Sequence, residues 1–246
     1  MTNDSLFGAA FHTQIAGIGV ELSDTQVAKL ARLLEILGAS NRYASLTSGG
    51  ALADAVRTHI LDSLTLVPQI LERLPRGGSF VDVGTGGGFP GVVLKIAAPE
   101  LDTVLIEAAG KKASYLARAS DELGLGLHVL HARAETVAHD PAFRGHFDVA
   151  TARAIGGFPL VLELTLPLCK TGGVVLAQRG SDGPEEAESN GGVARLLGGE
   201  ILSIEQVGLE FGLNARHLVV VQKVGDAPDR YPRKAGIPAK RPLRVG

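Results

Sequence analysis

Cysteine occurs once in the 246 residues, as Cys169, which excludes an intrachain disulfide and any cysteine-based zinc site. That usage fits a reducing, cytoplasmic setting. Aromatic residues make up only 4% of the chain while glycine occurs 32 times, a balance that favours backbone-lined sites over a broad aromatic stacking platform. Charge of one sign is also lacking. A formal net charge of −2 argues against wholesale wrapping of nucleic acid, so the distribution of charge matters more than its sum. The longest apolar run, "FPLVLELTLPLC" over 158–169, is too short to span a bilayer and contains Glu163. Residues 1–20 carry no basic start followed by an apolar core, so an ordinary secretory signal is not expected. What is present, 45% hydrophobic residues, suffices for one large α/β core with a small helical attachment.

The chain reads in four parts. Residues 1–22 are Gly/Ala-rich without period and read as a flexible tail. Residues 23–76 read as a helical cap. Ser23 and Gln26 stand in capping-box spacing, Val27, Leu30, Leu34 and Leu37 share one helical face, and Gly38 stops the pattern. A second helical block, 53–74, is expected to break at Pro68. Over 77–229 short apolar runs alternate with helical ones, which predicts parallel βαβ units with right-handed crossovers. The last two runs, "EILSIEQVGL" and "RHLVVVQKV", have no helix between them and read as an antiparallel pair, making the sheet mixed. Residues 230–246 hold six basic residues, no acidic ones and three prolines. That composition reads as an arm without regular structure, either solvated or contacting phosphate.

Between the first strand and its helix lies "FVDVGTGGGFPG", residues 80–91, with five glycines in eight positions. Glycines are needed where a backbone turns tightly and where a ligand approaches it. Gly84, Gly86 and Gly88 follow the strand, and Pro90 stands where the next helix starts. Gly86, Gly88 and Gly91 also spell G-x-G-x-x-G, so a nicotinamide dinucleotide satisfies the spacing as well. Glu107 ends the second strand, where an acid accepts hydrogen bonds from the ribose hydroxyls of an adenosine. Asp82 precedes the loop; a carboxylate there meets the cationic amino acid end of S-adenosylmethionine, or else caps the turn. The acid before the loop and the antiparallel final pair tilt the choice toward S-adenosylmethionine.

Several separated motifs together resemble the small-subunit ribosomal RNA methyltransferase G family, also called glucose-inhibited division protein B. Besides the glycine loop they are "RTHILDSL" (57–64), "GKK" (110–112), "ARAE" (132–135), "FDVATARA" (147–154), "LPLCKTGG" (166–173), "RHLVVVQK" (216–223) and "YPRKAGIPAKRPL" (231–243). The resemblance spans about residues 23–244. It implies a class I S-adenosylmethionine-dependent methyltransferase with a Rossmann-like α/β fold, a mixed seven-stranded sheet and an N-terminal helical cap. The implied reaction methylates N7 of a guanine, guanine 527 by family assignment, in the 530 loop of bacterial 16S rRNA, within the 30S subunit or an assembly intermediate. On the family pattern Gly84 and Phe89 border the cofactor, Glu107 meets the ribose, Ala134 with Glu135 lies along the adenine, and Arg153 is the last cofactor-pocket position, facing substrate as well. His59, Arg179, Arg230, Arg233, Lys234, Lys240 and Arg241 are the RNA-binding candidates. Two departures stand out. "GASNRYASLT" keeps Asn41 and Leu46-Thr47 but lacks the usual tryptophan and has Ser45, and the usual Lys-Gly after the fifth strand is Arg179-Gly180.

Guanine N7 carries an in-plane lone pair and attacks without losing a proton, so the reaction needs positioning more than a general base. Arg153 is the candidate for orienting the nucleotide. Cys169 falls in an apolar run and reads as a buried small side chain rather than a nucleophile. "TARAI" at the end of the fourth strand is not the Asn/Asp-Pro-Pro-aromatic element of exocyclic amine methylation. His59 and Asp62, three apart on a helix, suit RNA, a metal or a surface pair; no metal site is expected. A monomer is favoured. The other classes considered are an NAD-dependent oxidoreductase, which lacks an identifiable catalytic residue here, and a non-catalytic RNA-binding module.

Overall fold

The structure is a computed structural model that describes residues 6–44 and 52–245, without the side chains of 41–44, 52 and 53. The departure at Ser45 to Thr47 therefore lies outside the described residues. In chain order the elements are α1 (Ala9–Gly17), α2 (Asp24–Ala44), α3 (Leu52–Ala55), a π-helical turn (Val56–Leu61), α4 (Asp62–Leu64), α5 (Val67–Arg73), β1 (Gly78–Val83), α6 (Gly91–Ala97), β2 (Leu101–Glu107), α7 (Gly110–Leu123), β3 (His128–His131), α8 (Ala134–Val137), β4 (Phe147–Ala152), α9 (Phe158–Thr165), β5 (Cys169–Arg179), α10 (Gly183–Ser189), α11 (Gly191–Leu196), β6 (Gly199–Gln206), β7 (His217–Lys223) and α12 (Ile237–Lys240).

The strands form one seven-stranded sheet in the order β3-β2-β1-β4-β5-β7-β6. β1 to β5 are parallel, while β7 lies antiparallel between β5 and β6. Strand residues alternate between two apolar layers as the pleat requires: Phe80, Leu176, Leu218 and Val220 face one side, Val81, Val175, Val219 and Val221 the other. The chain reverses direction across the sheet between β1 and β4, so the loop after β1 opens at a topological switch point, where ligands of open α/β sheets bind.

The N-terminal helices share the first layer. Leu30, Leu33 and Leu34 of α2, with Ile60 and Leu64, pack in the same cluster as Phe80 and Leu105. Ser23 and Gln26 form the expected capping box: Ser23 N–H donates to Gln26 Oε1 at 2.8 Å and Gln26 N–H to Ser23 Oγ at 3.3 Å. Gln26 Nε2 also donates to the carbonyls of Ile96 and Ala97 at the end of α6, which pins the cap to the helix after the glycine loop.

Three expectations need correction. Residues 9–17 are helical rather than loose, because Phe11 and Ile15 bury their side chains in the first layer. The block over 53–74 breaks before Val67, not at Pro68, which sits in the first turn of α5 where its missing N–H costs nothing. The C-terminal arm is ordered from Tyr231 onward: Tyr231 and Leu243 are buried in the second layer and α12 forms between them. No helix among the described residues is long and apolar enough to cross a membrane.

Candidate active site

Two neighbouring groups of residues meet at the C-terminal edge of the parallel strands. The first surrounds the glycine loop. Gly84 turns the chain with φ +70°, and a Cβ on it would lie 2.6 Å from Ile155 Cγ2. Gly91 approaches Asp82 so closely that a Cβ would meet its Oδ2 at 2.8 Å; without one, Gly91 N–H donates to that oxygen at 2.9 Å. Asp82 is fully buried, and its other oxygen, Oδ1, has no hydrogen-bond partner among the described residues; nor has the hydroxyl of buried Thr85. Burial pushes the Asp82 carboxyl up to about 6. The capping role thus occupies one carboxylate oxygen, while the Thr85 side chain and the Arg153 charge offset only part of the cost of burying the anion.

Beside the loop is a cleft of about 220 Å³ whose lining includes Gly84, Ile106, Ala132, Ala134, Glu135 and Ala239. Glu107 stands at the end of β2 next to it, 8% exposed; its Oε2 accepts from Gly86 N–H at 3.0 Å and its Oε1 from Ala109 N–H at 2.8 Å. Two backbone donors fix the carboxylate, and each oxygen retains a lone pair for a ribose hydroxyl. Small apolar residues around an anchored carboxylate, with an unpartnered acid at the other end of the loop, fit an adenosine bearing a cationic amino acid.

The second group lies between the cap and the sheet. Arg153, just past β4, donates from Nη1 to Asp62 Oδ2 at 2.7 Å and to the Thr58 carbonyl at 3.2 Å. Its guanidinium carbon is 5.6 Å from the Phe89 ring centroid, within cation–π range. His59 stacks on the same ring at 4.8 Å. Burial, and then the Arg153 charge, holds the His59 imidazole below its usual range, so it is neutral near pH 7. Asp62 is fully buried and also pairs with Arg216 Nε at 2.8 Å, while Gln178 Nε2 donates to the Asp62 carbonyl at 2.6 Å. His59 lies in the π-helical turn, a distortion frequent at functional sites because it re-aims side chains out of helical register.

The first group therefore collects Gly84, Glu107, Ala134 and Glu135, and Phe89 and Arg153 stand in the second. Asp62, quoted beside His59 as part of a possible surface pair, is instead the buried hub. Gln178 and Arg216 were missed. One signal could have found Arg216: β7 is antiparallel, so its start, at His217, lies beside the end of β5 at Arg179 and hence at the ligand edge.

Two RNA-binding candidates are committed within the chain. Arg179 donates to Glu186 Oε2 from Nε at 2.8 Å and to the Gly156 carbonyl from Nη1 at 2.9 Å. Arg233 is bound by buried Glu163. Both side chains therefore hold a carboxylate partner within the fold. Arg230, Lys234, Lys240 and Arg241 are exposed. Among the described residues no group of three His, Cys, Asp or Glu side chains is placed to hold a metal ion. Cys169 is buried and its thiol is pushed up to about 12 by desolvation, which leaves it without thiolate reactivity near neutral pH.

Residues 26–219 match the family model for rRNA small subunit methyltransferase G. The Rubrobacter xylanophilus protein of that name is 39% identical over 244 residues, covering 96% of this chain and 91% of that protein. The chain belongs to the rRNA small subunit methyltransferase G family. Another of its members, from Streptococcus sanguinis, is 37% identical, with 95% of this chain and 98% of that protein covered. Membership makes the chain an S-adenosylmethionine-dependent rRNA methyltransferase and sets the nicotinamide reading aside. The fold agrees: a point mutant of the 16S rRNA (adenine(1408)-N(1))-methyltransferase from Catenulisporales acidiphilia superposes with a TM-score of 0.50 at 18% identity, covering 65% of this chain and 94% of that one. A branched-chain polyamine synthase from Thermus thermophilus, solved in complex with N4-aminopropylspermidine and 5'-methylthioadenosine, gives a TM-score of 0.53 at 13% identity, with 68% and 57% covered.

Proposed function

We propose that this family member methylates N7 of a guanine in the 530 loop of 16S rRNA, guanine 527 by family assignment, within the 30S subunit or an assembly intermediate. Bound S-adenosylmethionine supplies the electrophilic methyl group. Gly84 and Ala134 would line the site of its adenosine, Glu107 would accept from its ribose hydroxyls, and Asp82, beneath the loop, would counter the charge of its ammonium. The observation that carries the reading is the arrangement of Arg153, His59 and Phe89 next to the glycine loop. The neutral His59 ring stacked on Phe89 offers a flat surface for a base. Asp62 fixes one nitrogen of Arg153, and the other guanidinium N–H groups are left to orient the nucleotide. Neither group of residues holds an acid–base dyad, and a nucleophile that loses no proton requires none.

Mapping N7-methylguanine on 16S rRNA from cells with and without this chain tests the assignment: one modified guanine in the 530 loop should disappear with the chain, and an unchanged pattern overturns it. Arg153→Ala should cut turnover on the order of 100-fold, the cost of a misplaced reactant, while S-adenosylhomocysteine binding stays within a fewfold of wild type. Asp62 keeps Arg216 in that variant, so folding should persist. Equal loss of binding and turnover would remove the orienting role.

A further inference from the structure

We propose that the segment Arg233 to Lys240 forms the outer wall of the cofactor cleft, and that the Glu163–Arg233 pair positions it there and so sets cofactor affinity. The inference rests on reading that cleft as the adenosine site.

The wall is placed from both ends. At its start, Arg233 N–H and Nε each donate to Glu163 Oε1 at 2.9 Å, and Nη2 donates to Oε2 at 2.6 Å. Glu163 is fully buried in the middle of α9, and every hydrogen bond its carboxylate accepts among the described residues comes from Arg233. A desolvated carboxylate with one partner makes that partner obligatory. The same helix presents Leu160 and Leu164 to the cleft, so the anchor and the cleft floor move as one body. Three residues on, Gly236 N–H donates to Glu135 Oε1 at 2.8 Å, and Glu135 itself lines the cleft. Ala239 of α12 then lines the cleft together with Gly84 and Ala134. The preceding stretch is clipped as well: Arg144 Nη1 donates to the Tyr231 carbonyl at 2.9 Å, and His139 Nε2 lies 2.7 Å from the Pro232 carbonyl. A solvated arm that only meets RNA needs none of these backbone bonds.

The test uses the full chain. Calorimetry with S-adenosylhomocysteine is run on wild type, Ala239→Phe, Arg233→Ala and Arg233→Lys, together with ligand-free melting and KM for S-adenosylmethionine and for 30S subunits. Ala239 is exposed and lines the cleft, so Ala239→Phe leaves the anchors alone and adds a bulky ring at the cleft. It should weaken binding about tenfold or more and raise KM for the cofactor, with KM for 30S subunits and the melting temperature unchanged. Arg233→Ala should weaken binding too, and Arg233→Lys, which keeps the charge but not the bidentate fork, should recover part of it. Wild-type affinity in Ala239→Phe, or a change confined to KM for 30S subunits in the Arg233 variants, overturns the proposal. Wild type that fails to bind S-adenosylhomocysteine overturns the assignment of the cleft itself.

Discussion

Asp82 illustrates how one buried atom couples fold and function. Its carboxyl rises from 3.8 to about 6 because burial penalises the anion. The folded chain therefore holds this proton where the unfolded chain has lost it, between about pH 4 and 6, and stability falls as pH rises through that window. The difference amounts to about 3 kcal/mol at neutral pH. Asp82→Asn keeps an acceptor for the Gly91 N–H and removes the titration. Urea midpoints of wild type should drop between about pH 4 and 6 relative to that variant, and saturating S-adenosylhomocysteine, whose ammonium would compensate the carboxylate, should shrink the gap. Parallel midpoints without ligand would show that the carboxyl is already compensated. Asp62, equally buried, is bracketed instead by Arg153 and Arg216.

At the level of elements, α2 is held by more than its apolar face. Gln26 serves its own N-terminus and, through Nε2, two carbonyls at the end of α6. Gln26→Ala should cost about 1–2 kcal/mol in chemical denaturation, a cap plus a part-buried tie, and Gln26→Glu should lose only the tie. The capping box was legible because its partners lie three residues apart in the sequence. So were the strands, whose apolar runs are buried on both faces, and the glycine loop, whose turn demands its composition. The π-helical turn was not, since one extra residue per turn leaves no mark in an apolar period that tertiary packing can override. Nor was the Asp62 hub: its arginines come from the ends of β4 and β7, joined only once β7 inserts beside β5. The C-terminal arm misled for a related reason. Prolines and cations describe a solvated peptide until Glu163, distant in sequence, supplies the countercharge.

In the whole molecule, cap and arm cover opposite faces of the sheet, and the cleft and the Arg153 group open between them at one edge. Basic residues divide accordingly: Arg179 and Arg233 hold the structure together, whereas Arg230, Lys234, Lys240 and Arg241 point to solvent beside the cleft wall. The exposed set is available to phosphate. Replacing Arg230 and Arg241 together by alanine should flatten the log–log salt dependence of rRNA binding by about 1.4, near 0.7 for each lost contact to single-stranded RNA, and leave S-adenosylhomocysteine affinity intact. An unchanged slope would place the phosphate contacts elsewhere.

The insertion of β7 between β5 and β6 also bears on how the chain is made. β6 emerges from the ribosome first, yet its only neighbour in the sheet is a strand not yet synthesised. Until His217–Lys223 arrive, a nascent chain carries β6 without its pairing partner and β5 with one edge open. A polypeptide arrested before that point keeps its glycine loop but lacks the strand that completes the sheet, so the methyltransferase can assemble only near the end of its own translation.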